Sequence, residues 1–303
     1  MSLPPTPAQN RRGILAMVAS MAIFTANDTF TKLARVDLPV GEVLFIRGIF
    51  AGLVSLALVV AFGETRKMHL ALRAPVLARA GMEAAVAFTF ILAIGHMPLA
   101  DLTAIMQTTP LLIALYCALT GIAPMGPRRW AAVLVGFLGV LLVVKPGGAG
   151  IGLDTALALG SAVLVASRDM VTRRLDDAIP SVVVLFATSV IVAAAGGALS
   201  MVESWKPVTI GTIAMLGVAG VCIAVGHLCA IIAFRGVDVA VVSPFRYSVM
   251  LWATLAGFLV FGDVPDAAAF TGAALIAGSG LYTVHRERIR AAEAARLTAK
   301  SAG

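Results

Sequence analysis

The chain has 303 residues, of which 60% are hydrophobic and 13% are charged, and its mean hydropathy is +0.97. A soluble globular protein of this length needs more polar side chains to cover its surface. The composition therefore excludes a soluble globular protein and indicates a polytopic membrane protein. The formal net charge is +7. Basic loops on one membrane face account for this charge, so nucleic acid is not expected as a partner.

Apolar stretches long enough to cross a bilayer of about 30 Å recur along the whole chain. They predict an all-α integral membrane fold in which the lipid bilayer surrounds ten transmembrane helices. The predicted spans are residues 13–34, 39–62, 75–96, 98–120, 128–145, 153–175, 180–200, 208–234, 238–261 and 265–284.

The distribution of lysine and arginine predicts the orientation, because positively charged loops stay in the cytoplasm. One set of loops holds seventeen of these residues, and the opposite set holds only four: Lys32, Arg35, Lys145 and Lys206. Both termini are therefore expected in the cytoplasm, and residues 285–303 are predicted to form a basic cytoplasmic tail.

The two halves of the chain resemble each other in sequence. At an offset of 141 residues, six identities include Asp28 with Asp169. A Gly-rich connector at 146–152 separates five spans in residues 13–145 from five in residues 153–284. Because five is odd, the second half faces the opposite way, which predicts two inverted five-helix repeats.

Charged residues within the predicted spans are candidates for the functional site, since a charge in hydrocarbon costs about 2.5–3.5 kcal/mol even on lenient scales. Asp28 and Arg47 lie about 10–12 Å from the periplasmic face, and we expect them to pair or to share a cavity. Asp169 and Arg246 are their predicted counterparts near the cytoplasmic face, with Arg168 as a competing partner for Asp169. Two interpretations stay open: gating or substrate anchoring, and simple attachment of one helix to another.

Other polar residues of spans 1, 4, 8 and 9 complete the candidates for substrate binding or gating. Pro110 and Pro244 are expected to break two spans, and broken helices often line binding sites, although a kink without a ligand is the alternative. His227 is a proton relay or a packing residue. Trp252 and Tyr247 could stack on an aromatic substrate. The full set is Asn27, Gln107, Thr108, His227, Ser243, Tyr247 and Trp252.

Two further features are interpreted as structural. Glu83 follows Arg79 by one helical turn, which predicts a local ion pair near the cytoplasmic surface. Gly48 and Gly52 form a Gly-x-x-x-Gly pattern, which favours close helix packing within the monomer and has a homodimer contact as its alternative. The protein is accordingly expected as a monomer or a homodimer.

These features together resemble the EamA family of the drug/metabolite transporter superfamily. The features shared are ten spans in two inverted halves, Lys32 at the end of span 1, and Gly-rich fifth and tenth spans. The resemblance implies a bacterial inner-membrane secondary carrier with a central cavity lined by spans 1–4 and 6–9. One difference is that residues 25–28, Thr-Ala-Asn-Asp, stand where many members carry a Trp-Gly pair. The glycines of the fifth and tenth spans that carry the resemblance are Gly136, Gly139, Gly272, Gly278 and Gly280.

The predicted function is secondary transport of a small organic metabolite. The resemblance implies alternating access as the mechanism and an amino acid or a vitamin such as riboflavin as the substrate. A channel is the alternative, and a membrane-embedded enzyme is weaker, because the chain lacks His-Glu-x-x-His and Gly-x-Ser-x-Gly motifs. No catalytic residue, cofactor or bound metal is expected. The energy source stays open between proton coupling, through Asp28, Asp169 or His227, and exchange or facilitated diffusion.

The charge distribution predicts where fused reporter proteins will function. Green fluorescent protein fused after Gly303 is expected to fluoresce, and alkaline phosphatase at that site is expected to stay inactive, because its disulfides need an oxidising compartment. Fusions after Lys206, in a predicted periplasmic loop, are expected to behave the opposite way. Phosphatase activity at Gly303 would contradict the predicted orientation.

Overall fold

The computed structural model describes residues 6–120, 126–144, 152–172, 174–176, 178–234, 237 and 239–301, and the regular secondary structure in these ranges is helical throughout. Residues 65–72 and 243–247 form 3-10 helices, and residues 257–261 form a π-helix. The α-helices are α1 (Pro7–Arg35), α2 (Val40–Ala61), α3 (Ala74–Ile94), α4 (Leu99–Met106), α5 (Thr109–Leu119), α6 (Pro127–Val144), α7 (Leu153–Thr172), α8 (Ser181–Ser200), α9 (Ile210–Phe234), α10 (Val239–Val242), α11 (Ser248–Ala256) and α12 (Ala267–Ser301).

Eight helical segments of the described chain are long and apolar enough to cross a membrane. They coincide with predicted spans 1–4 and 6–9, so the prediction of an all-helical, multi-pass membrane protein is confirmed. Two shorter apolar helices, Trp130–Val143 and Ala267–Thr283, lie within predicted spans 5 and 10. Helix α12 continues through the predicted tail to Ser301. Residues 146–150 of the predicted connector lie outside the described residues.

Local sequence signals mark where several helices begin. Thr6 and Gln9 form a reciprocal capping box at the start of α1, in which Thr6 Oγ1 accepts from the Gln9 backbone N–H and Gln9 Oε1 accepts from the Thr6 backbone N–H. Pro7 occupies the first turn of the same helix, where its missing N–H costs nothing. Pro39 and Pro180 instead occupy the position just before α2 and α8, where their backbone is extended. Proline before a helix favours extended backbone at the entry point and so fixes both starts.

The pairing of α2 with α8 depends on glycines. A Cβ atom on Gly48 would lie 2.8 Å from the Ala193 backbone, and one on Gly41 would lie 2.6 Å from the Ser200 backbone nitrogen. A Cβ on Gly196 would likewise come within 3.0 Å of α2 backbone atoms. The two helices are therefore in backbone contact and run antiparallel, since the start of α2 meets the end of α8.

A second antiparallel pair joins α1 to α9. Ser20 Oγ donates to the carbonyl of Gly226 at 2.8 Å, and a Cβ on Gly13 would lie 2.9 Å from the carbonyl oxygen of Ala233. Small residues again allow close approach, and the buried hydroxyl bonds to a carbonyl of the neighbouring helix, as is common inside a bilayer.

Two further pairs, α6 with α12 and α3 with α7, follow the same rule. Added Cβ atoms on Gly139 and Gly272 would lie 2.7 and 2.5 Å from the carbonyl oxygen of the other glycine. Between α3 and α7, Ser161 Oγ donates to Thr89 Oγ1 at 2.7 Å. The Gly-rich fifth and tenth spans of the sequence thus contact each other directly.

Helix breaks occur at the two predicted prolines. Helix α4 ends at Met106 and α5 begins at Thr109, with Pro110 in its first turn. The Thr108 and Thr109 hydroxyls donate to the carbonyls of Ile105 and Met106, each at 2.7 Å, and so satisfy acceptors that the break releases. The second break is the 3-10 turn at residues 243–247, which contains Pro244.

A matched pair of substitutions tests the α2–α8 contact. Gly48→Leu is expected to force the two helices apart, at a cost of about 1–3 kcal/mol for an overpacked interface. Gly52→Leu, one turn later on α2, meets no heavy atom within 4 Å of the new Cβ and is expected to be tolerated. Thermal unfolding in detergent measures both variants. Equal midpoints for the two would show that α2 does not pack on α8 in this way.

Candidate functional site

Two groups of polar and charged side chains lie at membrane depth inside the helix bundle. The first, which we term the central triad, consists of Asn27, Asp28 and Arg47. The second, the charge network, consists of Arg79, Glu83, Arg168 and Asp169. Because the hydrocarbon region offers no bulk water, each of these side chains needs partners within the protein or a polar cavity.

The central triad connects α1 to α2. Arg47 Nη1 donates to Asn27 Oδ1 at 3.3 Å, and Asn27 Nδ2 donates to Asp28 Oδ1 at 2.8 Å. Asn27 and Arg47 are buried, with 1% and 7% of their surfaces exposed, and Asp28 is half-buried. Asp28 and Arg47 each lie about two turns from the short connection at residues 36–39, which gives them similar depth. Asp28 and Arg47, which we expected to pair or to share a cavity, are thus connected through the side-chain amide of Asn27.

The charge network centres on Arg168 of α7. Its Nη1 atom lies 2.6 Å from Glu83 Oε2 on α3, and its Nε and Nη2 atoms lie 3.0 and 2.6 Å from Asp169 Oδ1. Arg79 Nη2 lies 3.9 Å from the same Glu83 oxygen. Two guanidinium groups and two carboxylates therefore offset one another between α3 and α7.

Two threonines fix the position of Arg79. Its Nε atom donates to Thr172 Oγ1 at 3.1 Å, and its Nη1 atom donates to Thr188 Oγ1 at 2.7 Å. With the Glu83 contact, all three guanidinium nitrogens of Arg79 have partners, as do all three of Arg168. The network thus joins three helices, α3, α7 and α8, and places a partner within 4.0 Å of every guanidinium nitrogen of both cations.

Asp169 pairs with the competing partner that the sequence left open. Its carboxylate binds Arg168, while the Arg246 side chain is exposed. Of the two partners that the sequence left open for Asp169, the structure therefore favours Arg168 over Arg246.

Glu83 is the carboxylate that both guanidinium groups of the charge network share. His227 of α9 is a further polar side chain inside the bundle. The His227 ring packs edge-to-face on Phe24 of α1 with centroids 5.0 Å apart, and its Nδ1 atom lies 2.7 Å from the Ile223 carbonyl oxygen. The polar side chains of the interior therefore come from α1, α2, α3, α7 and α9.

A separate ion pair connects the end of α1 with the segment that follows the π-helix. Lys32 Nζ lies 3.3 Å from Asp263 Oδ2 and 3.1 Å from the carbonyl oxygen of Met97. It also lies 4.4 Å from the centroid of the Phe261 ring, within cation–π range. Asp263 follows Gly262, whose φ of +69° is the left-handed conformation that glycine adopts without strain.

The remaining candidates lie at the helix breaks, and their contacts differ from those of the charged groups. Tyr247 borders a cavity of about 260 Å³ between α4, α11 and α12, and its hydroxyl is enclosed without a hydrogen-bond partner among the described residues. Trp252 packs against the apolar cluster that contains Met17. Gln107, Thr108 and Ser243 lie at the two breaks themselves.

Sequence reasoning missed two members of the polar interior, Arg79 and Glu83. They were interpreted as a surface ion pair, whereas only 12% and 16% of their side chains are exposed and Glu83 contacts α7 most closely. The signal that could have found them is their position inside predicted span 75–96. The cost argument applied to Asp28 holds equally for a glutamate within a span.

Comparison with known proteins supplies the family. The EamA-like transporter family matches residues 11–145 and again residues 155–284. The chain belongs to this family. The predicted family and the predicted transport function are thereby confirmed.

Several relatives of this EamA-family chain match nearly its whole length. The riboflavin transporter of Rhizobium johnstonii is 29% identical over 95% of this chain and 96% of its own. The S-adenosylmethionine uptake transporter of Rickettsia bellii is 24% identical over 91% of this chain and 94% of its own length. The pseudopaline exporter CntI of Pseudomonas aeruginosa is 26% identical over 88% of this chain and 93% of its own length. One solved crystal structure aligns with a TM-score of 0.61 over 89% of this chain and 98% of its own, at 21% identity, which shows the fold.

Loss of Arg168 is expected to destabilise the EamA-type bundle. Arg168→Gln leaves Glu83 and Asp169 without their closest cation, and breaking a buried ion pair in this way costs about 3–5 kcal/mol. Thermal unfolding in detergent should therefore show a lower midpoint than for Arg174→Gln, whose side chain is exposed. Adding Glu83→Gln to Arg168→Gln should restore part of the loss. Equal midpoints for the two single variants would contradict the buried network.

Proposed function

We propose that the protein is a secondary transporter that moves a small organic metabolite across the bacterial inner membrane by alternating access, with riboflavin as the first candidate substrate. In this proposal, residues 13–145 and 153–284 form two inverted five-helix repeats. Both termini face the cytoplasm. The unit that carries out transport is a monomer or a homodimer.

The antiparallel helix pairs support an inverted repeat. Spans 2 and 7 are equivalent in the two halves, and equivalent helices of an inverted repeat cross the membrane in opposite directions. Helix α2 runs antiparallel to α8, and α6 runs antiparallel to α12, as this requires. Spans 1 and 6 are equivalent in the two repeats, and so are spans 3 and 8. The α1–α9 pair (spans 1 and 8) in this proposal therefore corresponds to the α7–α3 pair (spans 6 and 3). The two separate family matches agree with this division.

The observation that carries the proposal is the set of charged side chains inside the bundle. Six of them, from both halves, belong to the central triad and the charge network, and charges at membrane depth commonly mark substrate pathways or gates. The charge network joins α3 of the first half to α7 of the second. The Lys32–Asp263 pair likewise joins α1 to the end of the ninth predicted span.

These two junctions lie toward opposite ends of the bundle and give alternating access a physical form. We infer that the charge network closes the cytoplasmic side and that the Lys32–Asp263 pair closes the periplasmic side. Opening either side requires breaking ion pairs, which a bound substrate offsets through contacts made in only one state. Proton binding at Asp28, Asp169 or His227 is one energy source consistent with this arrangement.

The relatives direct the choice of substrate. The riboflavin transporter of Rhizobium johnstonii covers almost the whole chain at the highest identity among the three relatives described above. Riboflavin is a small, planar, neutral heterocycle with a polar side chain. S-adenosylmethionine and amino acids are the comparison substrates for the experiment.

Flux into proteoliposomes tests the proposal. Labelled riboflavin is expected to enter with saturable kinetics and to be competed by unlabelled riboflavin, with liposomes lacking protein as the blank. The panel includes S-adenosylmethionine and tryptophan, each measured with and without a proton gradient. Flux that rises linearly with concentration and follows the membrane potential would favour a channel instead.

One variant pair links the flux to the charge network. Glu83→Gln removes the carboxylate that Arg168 and Arg79 share, so the maximal rate is expected to fall while the half-saturating concentration changes less. Glu64→Gln, whose carboxylate pairs only with Lys67 among the described residues, is the control and should transport normally. Normal kinetics for Glu83→Gln would remove the network from the transport cycle.

A further inference from the structure

The central triad differs from the charge network in how much of its hydrogen-bonding capacity is used. Among the described residues, Arg47 forms one hydrogen bond, from Nη1 to the neutral Asn27 amide, and no ion pair within 4.0 Å. Its Nε and Nη2 atoms form no hydrogen bond there, yet neither atom is fully enclosed by protein. Arg47 therefore keeps donors that the described residues do not use.

Asp28 shows the complementary property. Its Oδ1 atom accepts from Asn27, while Oδ2 has no hydrogen bond among the described residues and is not enclosed. A carboxylate oxygen and a guanidinium thus both remain available, and each charge acts on the other from beyond ion-pair distance. By contrast, every guanidinium nitrogen of Arg79 and Arg168 has a partner. The triad therefore has more unused hydrogen-bonding capacity for a ligand than the network.

Asn27 sets the spacing between the two available groups. Its carbonyl oxygen faces Arg47 and its amide nitrogen faces Asp28, which is the only orientation that satisfies both neighbours. The side chain is 1% exposed, so packing holds it in place. The result is a fixed acceptor beside fixed donors, as is typical of a preorganised recognition site.

Phe24 adds an apolar aromatic surface next to these groups. It precedes Asp28 by four residues on α1, and residues four apart lie on the same face of a helix. Its ring contacts the imidazole of His227 edge-to-face and lies close to Gly226, where an added Cβ would be 2.7 Å from the ring. A flat ligand beside Asp28 would therefore meet an aromatic ring on this face of α1.

The charges of the site favour a neutral ligand. Asp28 and Arg47 carry opposite charges, so a neutral ligand keeps the site neutral, and it avoids the desolvation cost of a zwitterion. A neutral group that offers an N–H donor directly beside a carbonyl acceptor matches one carboxylate oxygen and one guanidinium. A cyclic imide, in which an N–H lies between two carbonyls, has this edge, and the isoalloxazine ring of riboflavin contains one.

We propose that Asn27, Asp28 and Arg47 form a subsite that recognises the imide edge of a planar, neutral heterocycle, with Asp28 accepting the imide N–H and Arg47 donating to an adjacent carbonyl. This assignment rests on the proposed transport function and makes it specific. Asn27 is a positioning residue, whereas Asp28 and Arg47 contact the ligand. Phe24 borders the ring.

Two ligands and two variants test the subsite. Flux of riboflavin is compared with flux of N3-methylriboflavin, in which a methyl group replaces the imide hydrogen. Asp28→Asn and Arg47→Lys are each expected to raise the KM for riboflavin about 10- to 100-fold, since a hydrogen bond to a charged group is lost or weakened. Asp37→Asn, whose side chain is exposed just after α1, serves as the control and should keep the parent KM.

The decisive readout is the interaction between ligand and variant. The parent protein is expected to discriminate against the N3-methyl compound about 10- to 100-fold in kcat/KM, and Asp28→Asn is expected to lose most of this discrimination. Because both ligands are compared on the same variant, partial misfolding cannot produce this result. Full discrimination by Asp28→Asn would overturn the assignment.

The outcomes separate this inference from the proposed function. Saturable riboflavin flux with equal transport of the N3-methyl compound would overturn the imide subsite and leave the transport proposal intact. Tryptophan flux that depends on Asp28 and Arg47, without riboflavin flux, would overturn the assignment of an imide-binding subsite. It would indicate that the triad binds a zwitterion instead. Absence of saturable flux for every compound in the panel would overturn both proposals.

Discussion

The need to satisfy charge inside a hydrocarbon medium determines how the interior of this protein is arranged. Arg168 holds Glu83 and Asp169 within 2.6 Å of its guanidinium nitrogens, and the Thr172 and Thr188 hydroxyls complete the contacts of Arg79. Removing Arg168 leaves Asp169 without a cation and leaves Glu83 with only the longer contact to Arg79, so Arg168 is the member on which the network depends most. Because its members come from α3, α7 and α8, satisfying these charges also fixes how the two halves of the chain meet.

Close backbone packing makes this arrangement possible. Lipid tails are as apolar as leucine, so helices in a membrane gain little from burying apolar surface against one another. Gly48 and Gly196 instead let α2 and α8 approach to backbone contact, and Gly139 and Gly272 do the same for α6 and α12. These rigid pairs position the polar groups of the interior, while the two proline breaks interrupt the fourth and ninth spans nearby.

The two clusters differ in how completely their guanidinium groups are partnered, and the roles that we propose for them follow from this difference. A cation whose nitrogens all have partners favours one arrangement of helices and resists its opening. A cation with free donors, such as Arg47, can exchange partners when a ligand arrives. An EamA-family transporter needs both properties, since closing a pathway and recognising a substrate place opposite demands on a buried charge.

The sequence by itself determined the membrane class, the all-helical fold and the family, and it singled out Asp28, Arg47 and Asp169 as charges within the spans, because hydropathy and the cost of a buried charge act residue by residue. Only the tertiary structure decided the partners: Asp169 with Arg168, Arg47 with Asn27, and Glu83 with α7 instead of the surface. The position of a residue within a predicted span gives its depth along the membrane normal, but not the direction in which its side chain points around the helix axis. Which face of each helix meets which neighbour depends on packing across the whole bundle, and that decided which charges are saturated and which remain free to bind.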